Sequence, residues 1–195
     1  TGDVCTLIRE AALSGVDAFI VQDLGVVQLC RHIAPGVPIH GSTQMTVCSL
    51  PGVLFCAAMG MTRVVLSREL SREEIRYICA KSPIEIEVFG HGALCMCYSG
   101  QCYMSSVIGG RSGNRGRCAQ PCRQSYGYGH WQDRYPLSLK DNCLIHYLQE
   151  LEAMGVENII TFDAHDPRMM NAIPLTNFDN IMPTYQVLKT LLKHM

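Results

Sequence analysis

Asp17-Ala-Phe-Ile-Val-Gln-Asp-Leu-Gly-Val-Val-Gln-Leu-Cys-Arg-His-Ile-Ala-Pro-Gly-Val-Pro-Ile-His-Gly-Ser-Thr-Gln44 is the stretch that decides the fold. An apolar run, Ala18 to Val21, ends in the polar pair Gln22-Asp23, the pattern of a buried strand closing at its carboxyl end. Residues 24–33 then read as a helix, and Pro35-Gly36 breaks it before a second strand-like run at 37–44. The alternation extends both ways. Residues 3–15 read as a helix with Asp3 as N-cap, an apolar face of Leu7, Ile8, Ala11 and Leu13, and Gly15 as its stop. Downstream come a helix at 46–59, a strand at 62–68, a helix at 71–80 and a strand at 84–90. A strand at 135–141, a helix at 142–154 and a last strand at 156–163 follow. Such βα units, joined by right-handed crossovers, predict an α/β fold with a parallel sheet, open or closed into a barrel.

In parallel βα folds the ligand site lies beyond the carboxyl ends of the strands. The polar residues closing each strand are therefore the candidates. Gln44, Arg68, Glu69, His91, Lys140 and Asp141 are the catalytic candidates, and Asp23, His40 and Thr43 the substrate-binding ones. For each of them a helix cap or a surface turn is the competing role.

Between Glu87 and Asp133 there is no acidic residue, while Cys95, Cys97, Cys102, Cys118 and Cys122 share the stretch with Arg111, Arg115, Arg117 and Arg123. Its many glycines suit a loop folded around a ligand. Arg111 and Arg115 join the substrate-binding candidates because guanidinium groups suit carboxylate or phosphate. Three chemistries compete for Cys95, Cys102, Cys118 and Cys122. A zinc site favours two tight cysteine pairs, and only Cys118-x3-Cys122 fits that. A [4Fe–4S] cluster accepts four thiolates at unequal spacing on a loop, and it is the preferred expectation. Free thiols are the third. A cysteine nucleophile would need a histidine beside it, and Cys95 with His91 is the nearest pair.

The chain of 195 residues is 48% hydrophobic and 17% charged, with a net charge of -1, the balance of a globular domain whose overall charge names no partner. No apolar run reaches the roughly 18 residues of a membrane span, and no leader pattern opens the sequence, so a cytoplasmic protein is expected. Eleven cysteines without a secretory signal read as reduced thiols. Cys5, Cys30, Cys48, Cys56 and Cys79 fall in apolar helical patterns and read as core.

Glu87-x-Phe89-x-x-Gly92-Ala93-Leu94-Cys95, with Tyr98-Ser99-Gly100-x-Cys102-x-Met104-Ser105, resembles the signature of peptidase family U32, the collagenase-like proteases. Gly109-Gly110-Arg111-Ser112-Gly113-Asn114-Arg115-Gly116 and Cys118-Ala119-Gln120-Pro121-Cys122-Arg123 continue the likeness, which runs from about Gly15 to about Gly155. The resemblance implies a partial TIM-like βα barrel over residues 1–155 with the cysteine loop inserted at 90–123. It also implies an iron–sulfur cluster. An incomplete barrel leaves strand edges that a partner subunit could cover. The activities implied are peptidase action on proteins or oxygen-independent hydroxylation of RNA bases or quinone precursors, with an anionic small molecule such as prephenate as hydroxyl source. A non-catalytic metal-binding fragment is the third possibility. Residues 156–195 instead resemble an internal piece of ribose-phosphate pyrophosphokinase, in which Asp163 and His165 match a Mg-ATP element. That tail is expected to dock loosely on the rest.

Overall fold

The computed structural model of the protein describes residues 2–156, 158–162 and 177–181. Four strands, β1 (Phe19–Val21), β2 (Ile39–Gly41), β3 (Arg63–Val65) and β4 (Glu85–Glu87), form a parallel sheet in the order 1-2-3-4. Helices α1 (Gly2–Leu13), α2 (Leu24–Ile33), α3 (Leu50–Ala58) and α4 (Arg72–Cys79) alternate with them. These elements fall within the stretches that the sequence predicts, except that α1 begins at Gly2 and takes Asp3, the expected N-cap, into its first turn. Strands added in sequence order by crossovers of one hand leave their helices on a single face of the sheet. The core agrees: Ile8, Val27, Cys30, Val53, Cys56 and Ile78 of the helices pack with Val21, Ile39, Val64, Leu66 and Ile86. Burying each large aliphatic side chain there contributes roughly 1.5–3 kcal/mol. Among the described residues the sheet is not closed into a barrel.

Local chemistry sets the helix ends. Asp23 caps α2 by accepting the Val26 N–H at 2.9 Å. Ser71 and Glu74 form a reciprocal capping box that starts α4. The helix expected at 46–59 begins only at Leu50, because Thr46 is left-handed at φ 59° and ends a 3-10 turn, Thr43–Met45, while Ser49 caps the new helix. Cys30 and Cys56 are buried as expected, but Cys48 is exposed.

The strand expected at 135–141 does not form. Instead β6 (Tyr126–Tyr128) and β7 (Trp131–Arg134) make an antiparallel hairpin turning at Gly129, whose φ is 58°. Pro136 lacks the N–H that a ladder needs. A two-residue strand, β8 (Asn142–Cys143), pairs antiparallel with β5 (His91–Gly92). The helix expected at 142–154 is a 3-10 turn followed by α6 (Leu148–Ala153), α5 being Met104–Gly109 in the cysteine loop. β9 (Asn158–Phe162) forms where the last strand was expected, close to β4, and pairs in parallel with β10 (Asn177–Ile181). Asp163, His165 and the rest of the tail apart from β10 lie outside the described residues. No helix of the described residues is long and apolar enough to cross a membrane.

Candidate metal and substrate site

The cysteine loop is tied down over the carboxyl ends of β1, β2 and β3. Glu69 follows β3, and its Oε1 accepts from the Ser99 N–H at 2.9 Å and the Ser99 hydroxyl at 3.1 Å. Thr46, just past β2, donates its hydroxyl to the Ser99 carbonyl at 2.6 Å and accepts from Gln101 Nε2 at 2.9 Å. Gln22, at the end of β1, donates to the Asn114 carbonyl at 2.8 Å, and Asn114 Nδ2 reaches the Gly100 carbonyl at 3.2 Å. Ser99 is thereby 1% exposed although it sits in a loop. Arg123 staples the far side, donating to Ser138, to the carbonyls of Leu139 and Leu94, and to Asp141 at 2.9 Å.

These ties bring the thiols within electrostatic reach of one another. Cys97 is pushed up by burial and then by the neighbouring Cys102 and Cys95. Cys122 is pushed up by burial, then by Cys95 and Cys118, with Arg123 opposing. Cys95 therefore stands within electrostatic reach of both groups. Thiolates crowded in this way repel one another, a cost that a bound cation removes. The backbone supplies a second sign: Gln120, between Cys118 and Cys122, is left-handed at φ 54°, and its N–H donates to Cys118 Sγ at 3.3 Å. Amide hydrogen bonds to sulfur tune metal–thiolate centres. The donor set fits such a centre in chemistry, although among the described residues no three ligand-type side chains yet close on one point.

Arg68 and Glu69 line a cavity of about 320 Å³ with Cys95, Cys97 and Tyr98. Arg68 and Leu94 also border a neighbouring apolar cavity of about 380 Å³, walled by Val88, Phe89, Leu144 and Leu151. Arg68 donates to the Ala93 carbonyl at 3.3 Å and lies 5.7 Å from the Phe89 ring centroid. Of the expected catalytic residues, the structure thus brings Arg68 and Glu69 to the thiols. The others stand apart. Gln44 offers its backbone to the loop and lines a separate cavity with Gln22 and Cys48. His91 is exposed on β5, with Cys143 rather than Cys95 as its register partner. Lys140 is exposed, and Asp141 is held by Arg123. Asp23 caps α2, Thr43 lies near the Leu66 carbonyl at 3.5 Å, and Arg111 and Arg115 are exposed on the outside of the loop.

His40 belongs to a feature that the strand-end argument missed. On the sheet face away from the helices, Ile20, His40, Arg63 and Glu85 stand in register across the four strands. Arg63 pairs with Glu85 at 2.6 Å and with Glu87 at 3.5 Å. The alternation Glu85-Ile-Glu87 was the available signal, since period two puts both carboxylates on one face. Burial and the Arg63 guanidinium lower His40, with Glu85 opposing. Burial raises the Glu87 carboxyl above its ordinary value, partly offset by Arg63. A carboxyl whose folded pKa is raised adds stability that is present below its unfolded value and lost as pH rises through the folded one. Glu87→Gln removes that dependence. Urea midpoints measured at acid and neutral pH are therefore expected to fall less with rising pH in Glu87→Gln than in the unaltered chain, the His40 contribution cancelling in the comparison.

The profile of peptidase family U32 matches residues 2–161. The chain belongs to that family. The U32 match begins before Gly15 and runs past Gly155, so it is longer at both ends than the motifs alone indicate. Residues 162–195 rest on their sequence resemblance only. Among U32 relatives, a 23S rRNA 5-hydroxycytidine synthase of Escherichia coli is 43% identical over 78% of this chain and 24% of its own length. A tRNA hydroxylation protein of Bacillus subtilis is 36% identical over 80% of this chain and 39% of its own. A collagenase of Porphyromonas gingivalis is 32% identical over 77% of this chain and 40% of its own. The chain thus spans about a quarter to two-fifths of these relatives. No solved structure matches it significantly.

Proposed function

We propose that this U32 chain carries part of an RNA-hydroxylating enzyme whose cysteine loop holds a metal–thiolate centre beside the Arg68–Glu69 cavity. The observation that carries the proposal is the packing of Cys95 and Cys97 into the wall of that cavity, in a chain akin to proteins named for RNA hydroxylation. Cys95, Cys102, Cys118 and Cys122 are the ligands of choice. Cys97 and Cys143 are the reserves. A [4Fe–4S] cluster is preferred over zinc because it supplies electron transfer, which hydroxylation needs and peptide hydrolysis does not. Arg68 faces both cavities and is suited to hold the carboxylate of an anionic co-substrate, prephenate being the expectation from the family. The sheet is read as an arc of barrel wall, its β1 edge covered by a partner subunit or by further chain. An RNA substrate implies cytoplasmic work. Beyond the U32 match, residues 162–195 are read as an extension related to ribose-phosphate pyrophosphokinase.

One observation favours the peptidase reading: His91 stands opposite Cys143 across the β5–β8 pair, so a histidine and an exposed cysteine share a ladder position. Two measurements separate the readings. In a strain lacking the gene, mass analysis of tRNA and rRNA nucleosides is expected to show one base lighter by one oxygen atom, restored by the intact gene. The purified chain is expected to leave peptide substrates uncut, with or without an iron chelator. Unchanged nucleosides together with chelator-insensitive peptide cleavage would overturn the RNA reading.

A further inference from the structure

The outer side of the cysteine loop extends beyond the cavity just described and presents an unusual set of side chains. Tyr98 is 67% exposed and Tyr103 63%, and the short helix α5 displays Val107 and Ile108. Next to it run Arg111, Arg115 and Arg117, all exposed. The two segments are laced together. Ser105 of α5 accepts from the Arg111 N–H at 3.1 Å through its carbonyl and from the Ala119 N–H at 2.9 Å through its hydroxyl. Gly100 accepts from Asn114, and Arg111 Nε donates to the Arg117 carbonyl at 3.0 Å. Aromatic rings and guanidinium groups are thus carried by one small folded unit, which Gln22 and Thr46 anchor to the sheet.

Among the described residues the guanidinium groups at the outer edge of this unit are not paired with carboxylates. No acidic residue lies between Glu87 and Asp133, so the rest of the chain, with a total of -1, is net negative. Arg123 is engaged with Asp141, whereas Arg111, Arg115 and Arg117 form no salt bridge among the described residues. Neutralising the metal centre does not require exposed arginines. An external anion does.

We infer that this surface is a platform for an unpaired stretch of RNA, with bases stacking on Tyr98 and Tyr103 and phosphates meeting Arg111, Arg115 and Arg117. The inference rests on the RNA reading above and names the form of RNA that the same site takes. Only a single strand offers planar faces and negative charge in alternation at close spacing; a duplex hides its bases, and an acidic peptide has charge without the faces. Tyr98 also lines the cavity beside Cys95 and Cys97, so a base stacked there lies at the cavity mouth. Chemistry on a base requires it out of its stack, which an unpaired segment already provides.

Fluorescence anisotropy on the purified 195-residue chain tests this, using a labelled unstructured RNA oligonucleotide and the same strand annealed to its complement. The single strand is expected to bind more tightly than the duplex. Tyr103→Ala should raise its Kd about tenfold, the loss of one stacked base, without changing the salt dependence, while Tyr103→Phe binds as the unaltered chain does. Arg115→Gln with Arg117→Gln should lower the slope of log K against log salt by about 0.7 per lost phosphate contact. Metal content and circular dichroism are measured on every variant to show that the loop is intact. Equal binding of duplex and single strand, an intact Tyr103→Ala chain with unaltered Kd, or competition by polyglutamate as effective as by RNA would each overturn the platform. If the unaltered chain binds neither RNA form, the platform falls by itself where the gene-deletion nucleosides still change, and with the RNA reading where they do not.

Discussion

Cys95→Ser is expected to abolish metal binding outright, and with it any activity that depends on the centre. Cys95 is the thiol that perturbs both Cys97 and Cys122, so it joins the Cys97–Cys102 side of the loop to the Cys118–Cys122 side. Removing it takes away one of the four preferred sulfur donors and the one felt by both sides. Purified without oxygen, the unaltered chain should show iron, sulfide and the visible absorbance of a thiolate-bound cluster, and Cys95→Ser should show none of them. Cys30→Ser and Cys56→Ser provide the contrast. Both thiols are 1% exposed within the apolar core, where a hydroxyl without a partner costs about 1–3 kcal/mol of stability and no metal. A colourless protein with stoichiometric zinc would favour the zinc alternative. Equal metal loss from Cys30→Ser would place the centre elsewhere.

Gly100→Ala should be the most damaging single methyl group in the described structure. A Cβ built at Gly100 lies 2.1 Å from the Gln44 carbonyl oxygen and 2.9 Å from its carbon, and the residue has φ +77°. Two penalties combine. A left-handed conformation costs a residue with Cβ about 1–2 kcal/mol. Overpacking adds about 1–3 kcal/mol, and here the obstacle is backbone, which cannot rotate aside. Gly110→Ala, with φ +64° and nothing within 4 Å, isolates the first penalty alone. In urea unfolding, Gly100→Ala should lose clearly more than Gly110→Ala, and it should also bind less metal, because Cys102 lies two residues along the displaced loop. Equal losses in the two variants would show that the loop does not lean on Gln44.

How much of this was legible follows from the range of the contacts. The four sheet strands and the helices between them are written in local periodicity, and Ser71 with Glu74 announces α4 by spacing alone. The hairpin at 126–134 was missed because Gly127, Gly129 and their neighbours interrupt the side-chain alternation by which a strand is recognised, and 135–141 was preferred despite Pro136. The strand-end rule picked out Arg68 and Glu69, which the structure places in the cavity wall beside Cys95 and Cys97. It could not separate Glu69, which holds the loop through Ser99, from Asp23, whose carboxylate caps α2. Both are acids one turn from a strand. What distinguishes them is a partner 30 residues away in one case and three in the other, and spacing rules see only the second.

The hydrogen bonds from Ser99 and Asn114 to the scaffold also impose an order in time. The βα units are built from contacts between near neighbours in sequence, which form early and cheaply in chain entropy. The ties of the cysteine loop span 30, 53 and 92 residues, reaching back to Glu69, Thr46 and Gln22. Each of those anchors precedes in the chain the loop that uses it. The thiols are therefore gathered last, on a finished sheet, and until then they hang on an open and accessible segment. On the proposed reading a metal would meet a folded scaffold with an unclosed clasp, and closing the clasp would be the step that metal insertion and folding share.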